Sequence, residues 1–310
     1  MKILRITTEI NRSSIGRTTE QLGKLVLAEG WDSYIAYGRA DGESESHKIK
    51  IGSKLSVYFH ALLSRLFDLH GNGSYFATKK FIAKITQLKP DIIHLHDIHG
   101  YYININVLFK FLRKAGIPIV WTHHDCWAFT GHCGFYSEIG CEKWKNECSK
   151  CPSYKDYPSS LFFDRSRQSF QQKKSLFTSL INLDIFTPLP DVYNVRVSQW
   201  ICDELNCSFM KKYPIVRIYN GIDTNIFKPM REYELDVRNK YGLGDGILLT
   251  AVATSWGERK GLSDYYALRE ILSLDYTIVL VGVPSNLMNS LPKGIIGIKR
   301  TDDVVDLVKI

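Results

Sequence analysis

The 310-residue sequence lacks an uninterrupted apolar run of 18 residues, so it does not predict a membrane-spanning helix. It also lacks a secretory signal pattern, because its first apolar run is broken early by Arg5 and Glu9 and no small-residue cleavage site follows. We therefore expect a cytoplasmic protein. In that reducing compartment, clustered cysteines favour metal binding over disulfide bonds.

Long basic runs are lacking too, although the net charge is +8 and the sequence pI is about 9.0. A positive protein favours anionic partners such as nucleic acid, acidic lipid or phosphorylated small molecules. Here the Lys and Arg residues are scattered, and no RNA-binding or helix-turn-helix signature is present. Nucleic acid is therefore not an expected partner.

Short apolar runs alternate with helical segments, which is the pattern of an α/β protein whose parallel sheets are covered by helices. Two segments, 18–30 and 106–116, have helical spacing and end in glycine. The runs that predict strands are 2–7, 33–38, 91–96, 117–122, 183–188, 192–198, 215–220, 247–254 and 276–282, with a less distinct one at 295–298.

A domain boundary is indicated after the stretch IVRIYNGIDTNIFKP, where a strand, an Asn-Gly turn and a proline precede a charged segment. A new strand–helix–strand series opens at Ile247. We predict a first domain over 1–215, which includes a Cys-rich loop at 126–151, and a second over 216–310. The second has fewer than 100 residues, so we expect an incomplete domain.

Histidines follow two of the predicted strands, in HLHDIHG (94–100) and THHDCW (122–127). Open parallel sheets bind ligands beyond the carboxyl ends of their strands, so these histidines are candidate site residues. His94 and His96 share one face of their strand, and we expect one of them to be an ordinary buried imidazole.

Two loops are candidates for binding phosphate. TTEINRSSIGR follows the first strand and leads into a helix, whose N-terminal N–H groups suit an anion. TSWGERKG (254–261) places Arg259 and Lys260 between a strand and a helix, which suits a diphosphate. The alternative for the second loop is a solvated basic turn.

Five motifs, taken in order, resemble the family 4 glycosyltransferases of GT-B fold, in the branch that builds bacterial capsule, O-antigen or colanic-acid-type polysaccharides. They are DIIHLHDIHGYY, IPIVWTHHDCWAFTGHC, CEKWKNECSKCP, YNGIDTNIFKP and SWGERKGL. The resemblance implies two Rossmann-like domains with parallel sheets, facing across a cleft. It also implies a UDP- or GDP-linked sugar donor, a saccharide or lipid-linked saccharide acceptor, and transfer that retains the anomeric configuration.

The resemblance assigns roles residue by residue. His124 matches the first-domain histidine near the reacting sugar, and Gly16 matches a loop glycine near the donor phosphates. Arg259 and Lys260 match the cations on the donor diphosphate, which is electrostatic catalysis without a catalytic metal. On the acceptor side we place His96, Asp97 and His99.

Two departures from the family pattern bear on activity. Thr254 stands where many relatives have an arginine, and no Glu is followed by another Glu eight positions later. That Glu-x7-Glu motif holds the donor in the family, so we expect the C-terminal domain to be truncated before it. A non-catalytic relative that keeps only acceptor binding is the alternative function, and a sugar-nucleotide epimerase is a third.

Cys133, Cys141, Cys148 and Cys151 have the spacing C-x7-C-x6-C-x2-C. Four thiolates with a closing C-x2-C pair suit a tetrahedral structural zinc site. Reduced unligated thiols and disulfides are the alternatives. We interpret Cys126 as a packed thiol, and Cys202 and Cys207 as ordinary residues of a helix.

The stretch SKLSVYFHALLSRLFDLHG has apolar residues at amphipathic helical spacing, from Leu55 to Phe67. Such a helix usually packs on its own domain. The alternative is docking on an anionic membrane surface, in which nearby Lys and Arg side chains contact the headgroups. In that case the protein is peripheral on the inner face of the membrane.

Overall fold

A computed structural model describes residues 1–180, 192–229, 234–301 and 303–310. They form two units, Met1–Asn220 and Gly221–Ile310. The boundary that we predicted at 215/216 falls within the last strand of the first unit, Ile215–Arg217. The division lies a few residues further on, after the strand has paired with the first sheet.

The first unit contains a seven-stranded sheet in the order β3-β2-β1-β4-β5-β6-β7, and all its neighbouring strands are parallel. β1 pairs with β2 on one side and with β4 on the other, so chain order reverses between β1 and β4. A crevice forms beyond the strand ends at such a switch point. The strands are β1 Lys2–Thr7, β2 Asp32–Tyr37, β3 His47–Lys50, β4 Ile92–Leu95, β5 Ile119–His123, β6 Val192–Arg196 and β7 Ile215–Arg217.

In the described part of this unit six α-helices accompany the sheet: α1 Ser14–Ala28, α2 Lys54–Phe67, α3 Tyr75–Leu88, α4 Ile105–Ala115, α5 Ser166–Phe177 and α6 Gln199–Asn206. Several begin at a polar cap that accepts a hydrogen bond from the first turn, as Ser13, Ser53 and Asn104 do. α1 begins before the predicted residue 18 because Ser13 caps it there. α4 ends before Gly116, which has the left-handed conformation typical of a helix C-terminus.

The core of the first unit lies around β1, β4 and β5. Leu4, Ile93 and Leu95 are fully buried. Trp121 of β5 packs against Phe109 of α4 and Phe177 of α5, with ring centroids 5.5 and 5.0 Å apart. Burying each side chain of this size contributes about 1.5–3 kcal/mol, and this packing fixes the strands whose ends carry the histidines.

The second unit contains a three-stranded parallel sheet in the order β10-β9-β8. Ile278 and Leu280 on β9 pack on one face, and Val279 and Val281 pack on the other, so helices cover both faces. The elements are α7 Glu234–Tyr241, β8 Ile247–Val252, α8 Leu262–Ile271, β9 Tyr276–Val281, α9 Ser285–Met288, β10 Ile295–Ile298 and α10 Val304–Lys309.

Most predicted strands occur with small shifts at their ends, whereas the predicted strand at 183–188 lies outside the described residues. β3 was not predicted from the sequence. Three of its four residues, HKIK, are polar, and all four are only half-buried or exposed, because an edge strand covers little core and carries little apolar signal.

Candidate active site

The carboxyl ends of β4 and β5 bring the predicted histidines together. His94 and Leu95 of β4 pair with Val120 and Trp121 of β5, so the residues that follow emerge side by side. A small cavity at this edge is lined by both segments, including His96, Asp97, His99, His124 and Asp125. The four first-domain residues that we predicted from the two histidine motifs therefore share one pocket.

His99 is held between two carboxylates. Its Nε2 atom lies 2.8 Å from Asp97 Oδ1 and 2.7 Å from Asp125 Oδ2. The three side chains are only 9, 18 and 15 % exposed. Burial disfavours the charged imidazole, but the two carboxylates outweigh it and raise the pKa of His99 well above its ordinary value. The two carboxylates therefore favour the protonated form of His99.

His124 has a different electrostatic environment. Its Nε2 atom lies 3.1 Å from His96 Nδ1, and the two rings stack. Burial lowers the pKa of His124, and Asp97 and Asp125 offset this only in part. Burial also lowers the pKa of His96 well below its ordinary value. His124 is thus a neutral imidazole, which can donate or accept a hydrogen bond at a sugar hydroxyl.

His94 turns out to be the ordinary buried imidazole of its strand. Its Nε2 atom lies 2.8 Å from Thr122 Oγ1, and burial lowers its pKa to about 3. His96, by contrast, contacts His124 and has a buried Nε2 atom without a hydrogen-bond partner.

The end of β1 fixes the loop that carries Asp97 and His99. Thr8 Oγ1 lies 3.1 Å from the carbonyl oxygen of His99, to which it donates. Gly100 has φ +100°, and a Cβ atom there would lie 3.1 Å from Thr8 Cγ2. Tyr102 donates a 2.6 Å hydrogen bond to the Asp97 carbonyl oxygen. The loop therefore sits at the switch point between β1 and β4.

Three further residues belong to this site but were not predicted as site residues from the sequence. Asp125 could have been found, since it directly follows His124 and is the second carboxylate on His99. His70 and Tyr157 carry no signal in the sequence, because they reach the site from distant segments. The His70 ring lies 6.0 Å from His99, and Tyr157 Oη lies 3.4 Å from His99 Nδ1.

Gly16 lies in the first turn of α1, just beyond the carboxyl end of β1. Its N–H donates a 3.2 Å hydrogen bond to Ser13 Oγ. A Cβ atom at Gly16 would lie 3.0 Å from both Asn11 N and Glu9 O. The close approach of the helix to this loop therefore favours glycine.

Arg259 and Lys260 lie in the second unit, in a short 3₁₀-helix, Glu258–Lys260, between β8 and α8. Both side chains are exposed. Gly261 follows with φ +68° and turns the chain into α8. The two cations thus lie beyond the carboxyl end of the parallel edge strand β8.

The four predicted zinc ligands line one cavity, which is separate from the histidine pocket. The thiols of Cys133 and Cys151 are hydrogen-bonded to each other. Although the structure describes all four cysteines, no three of their sulfur atoms lie within 4.8 Å of one another. Cys126 is fully buried in the core, Cys202 is buried on α6, and Cys207 is exposed at the end of that helix.

Within the described residues, Asp97, His99 and Asp125 are the one group whose potential metal-ligating atoms all lie within 4.8 Å. A metal would have to replace a proton on His99 Nε2, since a ligating imidazole is neutral at that nitrogen. The raised pKa of His99 favours the proton, so the arrangement is suited to an ion pair.

The model of a family described as Glycosyltransferase Family 4 matches residues 15–226, more than half of the chain. The chain belongs to glycosyltransferase family 4. WcaC of Escherichia coli (strain K12), described as a colanic acid biosynthesis glycosyl transferase, is 31% identical to this family 4 chain over 198 residues. The alignment covers 59% of the chain and 47% of WcaC, so the chain spans about half the length of that curated relative.

Solved structures show the same GT-B fold. Sucrose-phosphate synthase from Thermosynechococcus elongatus aligns with a TM-score of 0.62 and 14% identity, over 99% of this family 4 chain and 72% of the synthase. Anabaena HepE in complex with UDP and glucose aligns with a TM-score of 0.57 and 12% identity, over 100% of this chain and 72% of HepE. At such identities the likeness establishes the fold, including the Rossmann-like first domain.

Proposed function

We propose that the protein transfers a sugar from a nucleotide-sugar to a saccharide acceptor in surface polysaccharide synthesis. The observation that carries this proposal is the histidine pocket at the switch point of the first sheet. In this pocket His99 contacts both Asp97 and Asp125, and His124 lies 3.1 Å from His96. Family membership supports the reaction type, and the likeness to WcaC supports the pathway class.

The reaction needs charge stabilisation at the leaving diphosphate and precise placement of an acceptor hydroxyl. Arg259 and Lys260 are proposed to bind the diphosphate and to stabilise the negative charge that develops as the glycosidic bond breaks. His124 is proposed to hydrogen-bond the reacting sugar, with retention of its anomeric configuration. His96, Asp97 and His99 would shape the acceptor side, and Gly16 would let the loop after β1 approach the donor phosphates.

A UDP-linked donor is the first candidate, because HepE was crystallised with UDP, with UDP and glucose, and with UDP-glucose. A GDP-linked donor is the second. Neither requires a catalytic metal in this proposal. The loop cysteines have no proposed part in transfer, and we assign them a structural role as zinc ligands.

The acceptor is proposed to be a lipid-linked saccharide that is anchored in the inner leaflet and lies at its anionic surface. α2 supports this, because its buried face is polar and its apolar face is exposed. His60 and Ser64 are fully buried, whereas Leu55, Phe59 and Leu62 are 78, 59 and 50 % exposed. Within the described residues no helix combines the length and apolar character needed to cross a bilayer.

Charge around α2 also suits anionic headgroups. The segment 53–88 carries five basic residues and a single acidic one, Asp68. Asp68 is buried and lies 2.9 Å from His132 Nδ1, so it does not oppose a negative surface. Each basic residue near an anionic membrane contributes about 1 kcal/mol to the free energy of membrane binding. The exposed apolar side chains contribute further by inserting into the interface.

Calorimetry with UDP- and GDP-sugars tests donor binding to the chain. We expect binding that Arg259→Ala/Lys260→Ala weakens at least tenfold, because two diphosphate contacts are removed. The matched control is Lys211→Ala/Lys212→Ala, which removes the same charge from another short 3₁₀-helix, Phe209–Lys212. His124→Ala should retain donor binding and lose transfer. No nucleotide-sugar binding by the folded chain would favour the alternative, a relative that binds only the acceptor.

Sedimentation with phosphatidylglycerol vesicles tests the membrane surface. Phe59→Ser/Leu62→Ser should reduce vesicle binding at least tenfold, whereas Leu25→Ser, on exposed Leu25 of α1, should not. Equal binding by both variants, or equal binding to neutral phosphatidylcholine vesicles, would refute docking through α2.

A further inference from the structure

The Cys-rich loop has little regular structure to hold it in place. Between β5 and α5 the described chain forms only three 3₁₀-helices, each three residues long. Two aromatic side chains anchor it: Tyr136 and Trp144 are buried, with ring centroids 5.0 Å apart. A loop with so few backbone hydrogen bonds gains most from a cross-link between distant residues.

The cysteines of this loop are placed for such a cross-link. Cys133, Cys141, Cys148 and Cys151 line one cavity, although 18 positions separate the first from the last. The thiols of Cys133 and Cys151 are already hydrogen-bonded, and the N–H of Gly131 donates a 3.1 Å hydrogen bond to Cys148 Sγ. N–H groups that point at sulfur are the usual surroundings of metal-bound thiolates.

A buried cation lies next to these cysteines. Lys173 on α5 is fully buried, and its Nζ atom lies 3.7 Å from the centroid of the Trp127 ring. It donates hydrogen bonds of 2.8 and 3.1 Å to the carbonyl oxygens of Trp127 and Thr130. No salt bridge to Lys173 is present in the described residues, so its polar contacts are these two carbonyl oxygens.

We infer that Cys133, Cys141, Cys148 and Cys151 bind one structural Zn²⁺ and that Lys173 balances the charge of the site. Zinc with four thiolates carries a net charge of −2, which is unfavourable in a buried setting without a nearby cation. Lys173 can supply that cation, because its Nζ atom contacts two carbonyl oxygens and forms no salt bridge with a carboxylate in the described residues. In this proposal the lysine offsets the negative charge of the zinc site, and the site supplies the opposite charge next to the buried lysine.

The site also connects to the histidine pocket. Lys173 fixes the carbonyl oxygens of Trp127 and Thr130, and the N–H of Trp127 donates a 3.0 Å hydrogen bond to Asp125. Asp125 in turn holds His99. Zinc would thus stabilise the segment that positions one carboxylate of the pocket, with no contact to the reacting sugar.

Zinc binding must draw the four sulfur atoms together. With Zn–S distances of about 2.3 Å, the sulfurs of a tetrahedral site lie about 3.8 Å apart. In the structure no three of them lie within 4.8 Å of one another, so the proposed site requires the sulfur atoms to move closer together when the metal binds.

The first test is the zinc content of the purified chain, measured by inductively coupled plasma mass spectrometry. We expect about one zinc per chain, released as a mercurial reagent titrates the four loop thiols in addition to exposed Cys207. Cys148→Ser/Cys151→Ser should contain less than a tenth of a zinc per chain, whereas Cys207→Ser, at an exposed cysteine outside the loop, should retain it. A zinc-free folded chain, a disulfide among the four, or zinc unaffected by Cys148→Ser/Cys151→Ser would overturn the site.

The second test addresses Lys173 through zinc affinity, measured by competition with a chelator. Lys173→Gln keeps an N–H donor for the two carbonyls and removes the charge, and it should weaken zinc binding about 10–100-fold. Lys174→Met, at the exposed neighbouring lysine, is the matched control and should change the affinity less than twofold. Equal affinities for both variants would overturn the charge-balancing role. Neither test depends on transferase activity.

Discussion

The ion-paired His99 predicts a large, pH-dependent loss of stability when its charge is removed. The change is His99→Gln, which keeps an N–H donor and removes the imidazolium. His99 contacts Asp97 and Asp125 at 2.8 and 2.7 Å, and all three side chains are less than a fifth exposed, so solvent screens them little. His99 Nε2 carries a single N–H, which the two carboxylates share. Removing the charged partner of such a buried ion pair costs about 3–5 kcal/mol, and a neutral hydrogen bond from glutamine retains about 1 kcal/mol of this. We expect a loss of about 3 kcal/mol in the free energy of unfolding near pH 7.

The sign of the pH dependence follows from the direction of the shift. The pKa of His99 is raised in the folded protein, so its stabilisation is fully present below the unfolded pKa of about 6.5. That stabilisation is lost as pH rises through the folded pKa. The difference between the parent protein and His99→Gln should therefore be largest near pH 6.5 and should narrow toward pH 10.

Urea unfolding followed by tryptophan fluorescence measures this difference, because every tryptophan except Trp256 lies in the first unit. His47→Gln is the matched control, since His47 is exposed on β3, and it should change the unfolding free energy by less than about 0.5 kcal/mol. A difference for His99→Gln that stays constant or grows from pH 6.5 to pH 10 would refute the ion-pair reasoning.

Two further predictions concern the scaffold of the pocket. Gly16→Ala should destabilise the first unit by about 1–3 kcal/mol, because the new Cβ meets backbone atoms of the preceding loop at 3.0 Å. In the same unfolding assay, Gly134→Ala, also in the first unit, should be nearly neutral, since its Cβ would lie no closer than 3.5 Å to a neighbouring side chain; equal effects would contradict the close-approach argument. Trp121→Ala should lower the free energy of unfolding by about 3–5 kcal/mol, because its ring is buried between two phenylalanines. Trp200→Ala, at a side chain that is 45 % exposed, should lower it much less. Similar midpoints for the two tryptophan variants would show that packing around β5 does not decide stability.

The sequence indicated the parallel α/β architecture and the edge at which ligands bind. Apolar runs such as 2–7 and 276–282 are buried on both faces, so their hydrophobic pattern alone predicts strands. The histidine motifs follow directly on β4 and β5, and adjacent parallel strands must end at the same edge. By contrast, β3 escaped prediction because an edge strand needs few apolar residues.

The sequence by itself thus determined which residues would reach the carboxyl edge of the first sheet, because the alternation of strands and helices sets that order locally. Only the tertiary structure decided which of them act together. Asp125 and Asp97 meet on one nitrogen of His99, and this requires two strands in a particular register, which residue spacing does not encode. The same holds for Tyr157, which reaches His99 across 58 positions, and for the outward apolar face of α2. Long-range packing sets these contacts, since side-chain distances depend on how the elements are arranged in space.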